Sequence, residues 1–462
     1  MYMNQQIATS TGGVSKSRKG RVFLVALVAA VGGFVFGYDI MILSSAILFL
    51  REFFGLSAQQ EGVAMTSAIW GIFPGLLVAG PLTDRIGRKK PLFIAALLFG
   101  ISSVGCAVAN GLAVWNVCRI LGGVGAGMAS VISPLYISEI SPAGIRGRLV
   151  SMNQMAIVLS VVAASVVAYF LAPVHNEWRW MFASILPPTV VLAFAVWFIP
   201  ESPRWLVGSG MKKEARKVLE WAGGAEHAEI EMQAIEKSLN EETGKLSELL
   251  QPGLRMALLV AVAVAAFQQL TGASTLLFYG PTIFKSAGIV KETSAIGTSI
   301  ILNALTIFFT ALSIWLVDRV GRRPLLLGGA IVMGVGQVLM GILFHYRLPA
   351  SYALVFMIVS VGAYTASFAP LGWLIMSEVF PTRIRARAMA IATVVLQLSS
   401  LAANGFFPVV RDYSERMYGS AGPTFWLFAA MCLLAFVFCL KMVPETKGRT
   451  LEEISSTWLR KR

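Results

Sequence analysis

Two side chains of opposite charge lie within apolar segments of the chain. Asp39 is the only acidic residue that the sequence places inside an apolar span, and Arg119 is the only basic one. A carboxylate in hydrocarbon is costly, so it should change its protonation state or find a cationic partner. We therefore expect Asp39 either to titrate or to pair with Arg119.

A second group of charged residues occurs twice. Residues 84–89 (DRIGRK) recur as residues 318–323 (DRVGRR), 234 positions later. Ser138-Glu139 with Arg146 recurs as Ser377-Glu378 with Arg385, 239 positions later, and residues 200–202 (PES) recur as 444–446 (PET), 244 positions later. Three motifs at the same three loop positions indicate two homologous halves. Parallel halves of this kind are a transporter design, with the substrate near the middle of the membrane.

Each repeated motif places carboxylates close to arginines. We expect ion pairs between neighbouring helix ends, namely Asp84 with the Arg88 region, Glu139 with Arg146, and Glu378 with Arg385. Breaking and re-forming such pairs is one way to make two conformations nearly equal in energy. The alternative is that the arginines only orient the chain in the membrane.

The composition shows which elements must position these residues. Of 462 residues, 56% are hydrophobic and 13% are charged, about half the ~25% charged residues of soluble proteins. A span needs about 20 apolar residues, so the chain has material for about a dozen. This excludes a soluble enzyme. The predicted spans are 22–50, 62–83, 91–113, 114–138, 149–172, 179–199, 256–284, 293–317, 324–345, 351–377, 388–410 and 423–443.

The basic excess is a topology signal. The formal charge is +14, and 30 of the 38 Lys and Arg residues fall on one side of the predicted spans. The positive-inside rule assigns that side, with both termini, to the cytoplasm. We predict a tail at 1–21, a six-helix bundle at 22–199, linker helices at 200–255, a second bundle at 256–443 and a tail at 444–462. No nucleic-acid partner, cofactor, metal site or enzymatic activity is expected.

The ordered motifs also carry a family resemblance. They are GPLTDRIGRKK (80–90), Arg119 followed by GGVGAG, PLYISEISPAGIRGR (134–148), PESPRWL (200–206), QQLTG (268–272), VDRVGRRP (317–324), SEVFPTRIRAR (377–387) and PETKGRTLEE (444–453). With them the chain resembles the sugar porter family of the major facilitator superfamily, especially its bacterial sugar–proton symporters. The resemblance implies an all-α membrane protein of twelve transmembrane helices in two homologous six-helix bundles, with a cytoplasmic helical linker.

The resemblance implies roles for the charged residues. Asp39 occupies the proton-coupling position, where facilitative relatives carry a neutral residue. Our hypothesis is that protonation of Asp39 weakens its hold on Arg119 and permits the switch between faces; a static pair that fixes helix packing is the alternative. The implied cytoplasmic gate comprises Asp84, Arg85, Arg88, Glu139, Arg146, Glu201, Arg204, Asp318, Arg319, Arg322, Glu378, Arg385 and Glu445.

A polyol needs uncharged groups that both donate and accept hydrogen bonds, together with an apolar face. By resemblance the substrate-binding residues are Gln154, Gln268, Gln269, Trp373, Tyr279 and Asn404. The alternative is that the glutamines join neighbouring helices. The second-half pattern departs from the family at Ser274, Phe368, Ala369 and Gln397, so the usual hexose or pentose does not follow from it.

The leading functional prediction is proton-coupled symport of a monosaccharide or related polyol by alternating access. We expect a monomer in the cell inner membrane, surrounded by lipid. A facilitative uniporter, in which Asp39 is structural, and a sugar sensor are the competing functions. The short predicted tails disfavour the sensor.

Overall fold

The computed structural model describes residues 16–240, 248, 249, 251, 254–380, 382–445 and 447. All regular structure in these residues is helical. Twelve spans in the described part are long and apolar enough to cross a membrane, which confirms the predicted number. The predicted tails lie outside the described residues before Lys16 and from 448 onward.

The first six spans begin with one long helix that extends beyond the predicted span at both ends. They are α1 (Lys16–Phe54), α2 (Ala58–Ile86), α3 (Lys89–Val108), α4 (Leu112–Ile140), α5 (Ala143–Leu171) and the consecutive helices α6 (Glu177–Ala183) and α7 (Leu186–Ala195). A 3-10 turn, Val196–Phe198, extends α7. The sixth span was predicted as one helix, but two prolines begin α7. Proline lacks the N–H that a continuous helix needs.

Three shorter helices occupy much of the predicted linker: α8 (Pro203–Gly208), α9 (Lys212–Gly223) and α10 (Ala225–Asn240). Ser202 caps α8, since its hydroxyl accepts a hydrogen bond from the Trp205 N–H at 3.3 Å. The apolar faces enclose a small core formed by Leu206, Val207, Ala215, Leu219, Ala228 and Ile235. Residues 241–247, 250, 252 and 253 of the predicted linker lie outside the described part.

The last six spans are interrupted at three points. The helices are α11 (Leu254–Leu270), α12 (Ala273–Phe278), α13 (Gly280–Ser286), α14 (Glu292–Val320), α15 (Arg322–His345), α16 (Ser351–Ala366), α17 (Phe368–Glu378), α18 (Thr382–Tyr418) and α19 (Gly422–Met442). Gly272 has a φ of +78° between α11 and α12, a conformation that glycine tolerates. Ser367 separates α16 from α17, and Pro370 follows within the first turn.

The chain divides into two compact units. The first draws on Met1–Ile40, Trp70–Ala163 and Arg179–Glu241, and the second on Met41–Ile69, Ala164–Trp178 and Glu242–Arg462. The division therefore cuts through α1, α2, α5 and α6. The first unit has a core where α1 packs on α4, and the second has a larger core built from α11, α15, α17, α18 and α19. The bundle boundaries expected from the sequence stay a prediction.

Glycines allow α2 and α4 to pack backbone against backbone within the first unit. A Cβ atom on Gly71 would collide with the carbonyl oxygen of Ile120, and one on Gly127 would collide with the carbonyl oxygen of Ile72. Small residues permit such close helix approach in membranes. The contact at Ile120 lies next to Arg119 in α4 and fixes this part of α4 against α2.

Two helix ends differ from the prediction in a way that matters for the site. Helix α2 begins at Ala58, and α18 continues to Tyr418, so Glu61 and Arg411 are helical and buried, with exposed fractions of 1% and 5%. The expectation that Asp39 and Arg119 are the only charged residues within spans is wrong. A sequence signal for the earlier start exists: Ser57 and Gln60 form a reciprocal capping box, with bonds of 3.0 and 3.3 Å.

Candidate functional site

Asp39 and Arg119 form a fully buried ion pair in the first unit. Arg119 Nη1 lies 2.5 Å from Asp39 Oδ1, and each residue is 1% exposed. The ring centroid of Phe182 lies 5.4 Å from the guanidinium carbon, so the cation also contacts an aromatic face. The structure thus brings together the two residues that were predicted to pair.

The pair does not saturate its own hydrogen-bonding capacity. Among the described residues, Asp39 Oδ2 and the Nε and Nη2 atoms of Arg119 have no hydrogen-bond partner. A buried carboxylate carries a desolvation cost that its charged partner must offset. Protonation of Asp39 would replace an ion pair with a neutral acid beside a buried cation. This chemistry could drive a conformational change.

The flanking residues hold Asp39 in place. A Cβ atom on Gly37 would collide with Ser160 Oγ of α5, so α1 and α5 approach closely two residues before Asp39. Tyr38 and Ser184 hydroxyls lie 2.9 Å apart and connect α1 to the break between α6 and α7. Three elements therefore fix the position of the pair.

A second ion-pair network joins the loop motifs of the first unit. The Arg88 guanidinium makes a two-pronged contact with Glu139, each bond 2.9 Å long, and also donates to the Thr83 carbonyl at 2.9 Å. Glu201 accepts the backbone N–H groups of Arg88 and Lys89 at 2.9 and 3.3 Å. It therefore caps the start of α3, where a negative charge is favoured.

The second unit repeats this geometry. Arg322 donates to Glu378 at 3.0 Å, and Glu445 accepts the N–H groups of Arg322 and Arg323 at 3.0 and 3.1 Å. Gly87 and Gly321, at equivalent positions, have φ of +90° and +98°. A Cβ atom on either would meet the capping carboxylate. The sequence repeat is thus a repeat of side-chain contacts.

The partners within these networks differ from those expected. Glu139 binds Arg88, whereas Arg146 binds Glu231 of α10 at 3.2 Å. Glu378 binds Arg322, while Arg385 donates to the Phe380 carbonyl at 3.4 Å. The Glu139–Arg146 pairing is therefore wrong in this structure, because Glu139 binds Arg88 and Arg146 binds Glu231. The Glu378–Arg385 pairing stays a prediction.

The other predicted gate residues lie at the margin of the networks. Asp84 is 3.8 Å from Arg88, with its side chain 78% exposed. Arg85 and Arg204 are exposed. Arg319 stacks on Trp315, with 4.1 Å from its guanidinium carbon to the ring centroid. The Asp318 side chain lies outside the described part of the structure.

The predicted sugar ligands of the second unit surround its helix breaks. Gln268 donates from Nε2 to the carbonyls of Phe368 and Ala369, at 3.1 and 2.7 Å. Gln269 accepts a bond from the Ser274 hydroxyl at 2.9 Å. In this conformation both amides therefore make the interhelical contacts that were the alternative interpretation, and the Gln268 Oε1 atom has no partner among described residues.

The remaining predicted ligands have varied environments. Tyr279 is buried and donates to the Asn404 carbonyl at 2.8 Å, and Asn404 donates to the Ser400 carbonyl at 2.9 Å. Trp373 is 44% exposed. Gln397 is partly exposed, and Gln154, on α5 in the first unit, is exposed.

Sequence reasoning missed one buried charged group. Glu61 Oε2 lies 3.6 Å from Arg411 Nη2 and 3.7 Å from Arg51 Nε, all within the second unit. These residues were predicted to lie outside the spans or at their margins. The capping box at Ser57 was the available signal.

Comparison with known proteins agrees with this arrangement. The model of the family described as sugar (and other) transporter matches residues 25–458. The arabinose–proton symporter of Bacillus subtilis (strain 168) is 37% identical over 454 residues, 96% of each chain. The D-xylose–proton symporter of Escherichia coli (strain K12) is 34% identical over 471 residues, covering 95% of this chain and 96% of that one. An inward-open structure of the xylose transporter XylE from E. coli superimposes with a TM-score of 0.83 at 33% identity, covering 95% and 100%.

Proposed function

We propose, since the chain belongs to the sugar (and other) transporter family, that it moves a monosaccharide or related polyol across the membrane together with protons. It is a multi-pass inner-membrane protein with twelve spans in its described part. Relatives of similar length couple arabinose or xylose to protons. Proton-coupled transport of this kind requires an ionisable group, and Asp39 is an acid buried among the helices of this chain.

The single observation that carries the coupling is the buried Asp39–Arg119 pair. A uniporter does not need an ionisable acid at this position. Burial of a charge in a membrane span is costly, so buried charged residues usually have a function. Asp39 takes a proton when the pair opens. When the pair re-forms, the positive charge of Arg119 favours the ionised carboxylate, and Asp39 releases the proton. One protonation thus accompanies one change of face.

The substrate contacts are assigned within the second unit. We assign Gln268 and Gln269 to the hydroxyl groups and Trp373 to the C–H face of the ring. Gln268 must leave the carbonyls of Phe368 and Ala369 to do so, which links binding to the break between α16 and α17. Gln154 is a separate assignment in the first unit.

The side that bears the repeated loop motifs is assigned to the cytoplasm, with both termini on it. The Arg88 and Arg322 networks belong to that side and hold it closed in one phase of the cycle. A protease added to intact spheroplasts should leave terminal tags uncut. Digestion of either tag from outside would reverse this assignment.

The function is tested with purified protein in two steps. A panel of pentoses, hexoses and inositols is first screened for thermal stabilisation, and the strongest ligand is then offered to proteoliposomes with an acidic exterior. Symport predicts accumulation inside only while the proton gradient lasts, with alkalinisation of the medium on sugar addition. Equilibration without accumulation would identify a facilitator, and no stabilisation by any polyol would overturn the substrate class.

A further inference from the structure

A buried charge cluster lies at the helix ends farthest from the repeated loop motifs. Glu61 is in the first turn of α2, whose other end carries the motif at residue 84. Arg411 lies near the end of α18, and Arg51 lies in the last turn of α1. Glu61 Oε2 is 3.6 Å from Arg411 and 3.7 Å from Arg51. One carboxylate therefore connects three helices within the second unit.

The cluster is held by charge more than by hydrogen-bond geometry. The side chains of Glu61 and Arg411 are 1% and 6% exposed, while that of Arg51 is 53% exposed. In the described part of the chain neither Glu61 oxygen accepts a hydrogen bond, and Arg411 Nη1 has no partner. A buried pair of this kind gains Coulomb energy at the expense of hydration, and loss of one partner leaves a buried charge unpaired. Water reaching the pair would offset the loss of contact when the helices separate.

The neighbouring charges do not replace this contact. Glu415 lies 4.0 Å from Arg411 and is half exposed. Lys285 is paired with Glu292 at 2.5 Å. Arg51, Glu52, Glu61 and Lys285 line an open cavity of about 540 Å³. Solvent therefore lies close to the cluster on one side.

The same helix ends are in direct contact beside the cluster. A Cβ atom on Gly62 would collide with the carbonyl oxygen of Gly405, so α2 crosses α18 backbone to backbone. Ser44 of α1 is fully buried and donates to the Leu277 carbonyl of α12 at 3.4 Å. Separation of these helices would require the Glu61 contacts to break.

We propose that Glu61, Arg411 and Arg51 form an ion-pair latch that closes the membrane side opposite the repeated motifs. The latch opens once in each cycle, when that side admits or releases substrate. The inference rests on the proposed transport function. It assigns to Glu61 the role, on this side, that the Arg88 and Arg322 networks have on the motif side.

The test measures exposure of a buried reporter instead of transport. Ser44→Cys is introduced after the native cysteines 106, 118, 432 and 439 are replaced by alanine, and labelling by a hydrophilic maleimide is timed in nanodiscs. Glu61→Gln should raise the labelling rate about tenfold, since a loss of about 1.4 kcal/mol from the closed state changes the ratio of states by that factor. The double variant Glu61→Gln/Arg411→Gln should behave similarly without leaving an unpaired buried cation.

Two controls make the outcome specific. Arg416→Gln breaks the Arg416–Asp412 pair on the same helix, 2.9 Å long with side chains 77% and 39% exposed; it should leave the rate unchanged, since exposed pairs contribute little. Ser286→Cys, at an exposed position, reports reagent activity. Unchanged labelling in the double variant, or an equal increase in Arg416→Gln, would overturn the latch. Failure of the transport function would appear instead as absent sugar uptake by the unsubstituted protein.

Discussion

The neighbouring side-chain amides of Gln268 and Gln269 make different kinds of hydrogen bond. Gln268 supplies donors to two carbonyls at the helix break, whereas Gln269 supplies an acceptor to one hydroxyl. A buried carbonyl that loses its donor costs about 1–3 kcal/mol. A serine hydroxyl can rotate towards another acceptor. The two residues therefore offer a matched comparison.

We predict that Gln268→Met lowers thermal stability more than Gln269→Met does. The expected loss for Gln268→Met is about 1–3 kcal/mol, because the carbonyls of Phe368 and Ala369 lose their donor. Thermal unfolding of the two purified variants, without sugar, measures the difference. Equal stability would mean that Gln268 serves the substrate alone.

Among the helices, each repeated motif brings a glutamate to the N-terminus of a helix, where the carboxylate accepts hydrogen bonds from backbone N–H groups. Gly87 and Gly321 hold positive φ angles so that a glutamate can approach the first N–H groups of α3 and α15. The sequence repeat predicted which residues would cluster. It did not predict their pairing, since Glu139 could meet either Arg88 or Arg146 until the helix ends were placed in space.

Gly87→Ala should destabilise the protein and loosen the motif-side network. The new Cβ atom would collide with the Glu201 carboxylate and would strain a backbone that glycine alone adopts readily. Gly147→Ala is the matched control, because no atom lies within 4 Å of its added Cβ in α5; it should be neutral or stabilising by up to about 1 kcal/mol. Thermal unfolding checks both. Unchanged stability of Gly87→Ala would show that the Glu201 cap does not stabilise the start of α3.

The linker helices carry a pH dependence of their own. Burial lowers the pKa of His227 in α10, and the nearby Arg146 lowers it further, while Glu231 opposes them. The folded linker thus favours neutral histidine, so its stability is full above pH ~6.5 and falls as pH drops below that value. Amide protection factors in α9 and α10, which correct exchange rates for the intrinsic pH dependence of exchange, should fall on acidification, and His227→Gln should flatten the response. Protection factors that rise at low pH would contradict the sign.

At the scale of the whole molecule, twelve spans and their duplication follow from composition and motif spacing. The apolar runs predicted the number of spans because hydrocarbon requires continuous helices. They did not predict the breaks at Gly272 and Ser367, where side chains such as Gln268 satisfy the freed carbonyls. They also missed the first turn of α2. Glu61 can be buried there because it pairs with Arg411, which lies far away in the sequence.

The contacts divide the charged residues into three groups with separate tasks. The Arg88 network joins the loop motifs of the first unit and the Arg322 network joins those of the second. The Glu61 cluster connects helix ends within the second unit, and the Asp39–Arg119 pair lies buried within the helices of the first unit. Asp39 and Glu61 are equally buried, and each has a carboxylate oxygen without a hydrogen-bond partner among the described residues. Glu61 lies between two arginines, one of them half exposed, whereas the fully buried Arg119 forms its ion pair with the Asp39 carboxylate. We infer that the Asp39 carboxylate couples the proton to the sugar.

Asp39→Asn tests this coupling in two sets of proteoliposomes: vesicles preloaded with the unlabelled sugar found by the ligand screen measure exchange, and vesicles that contain no sugar at the start measure accumulation. With an inward gradient of one pH unit, equivalent to about 1.4 kcal/mol, one-to-one coupling supports about tenfold accumulation by the unsubstituted protein. The variant should exchange labelled for unlabelled sugar but bring it only to equal concentrations on both sides. Asp412→Asn, which alters a partly exposed acid, should accumulate normally. Accumulation by Asp39→Asn against its gradient would contradict the account.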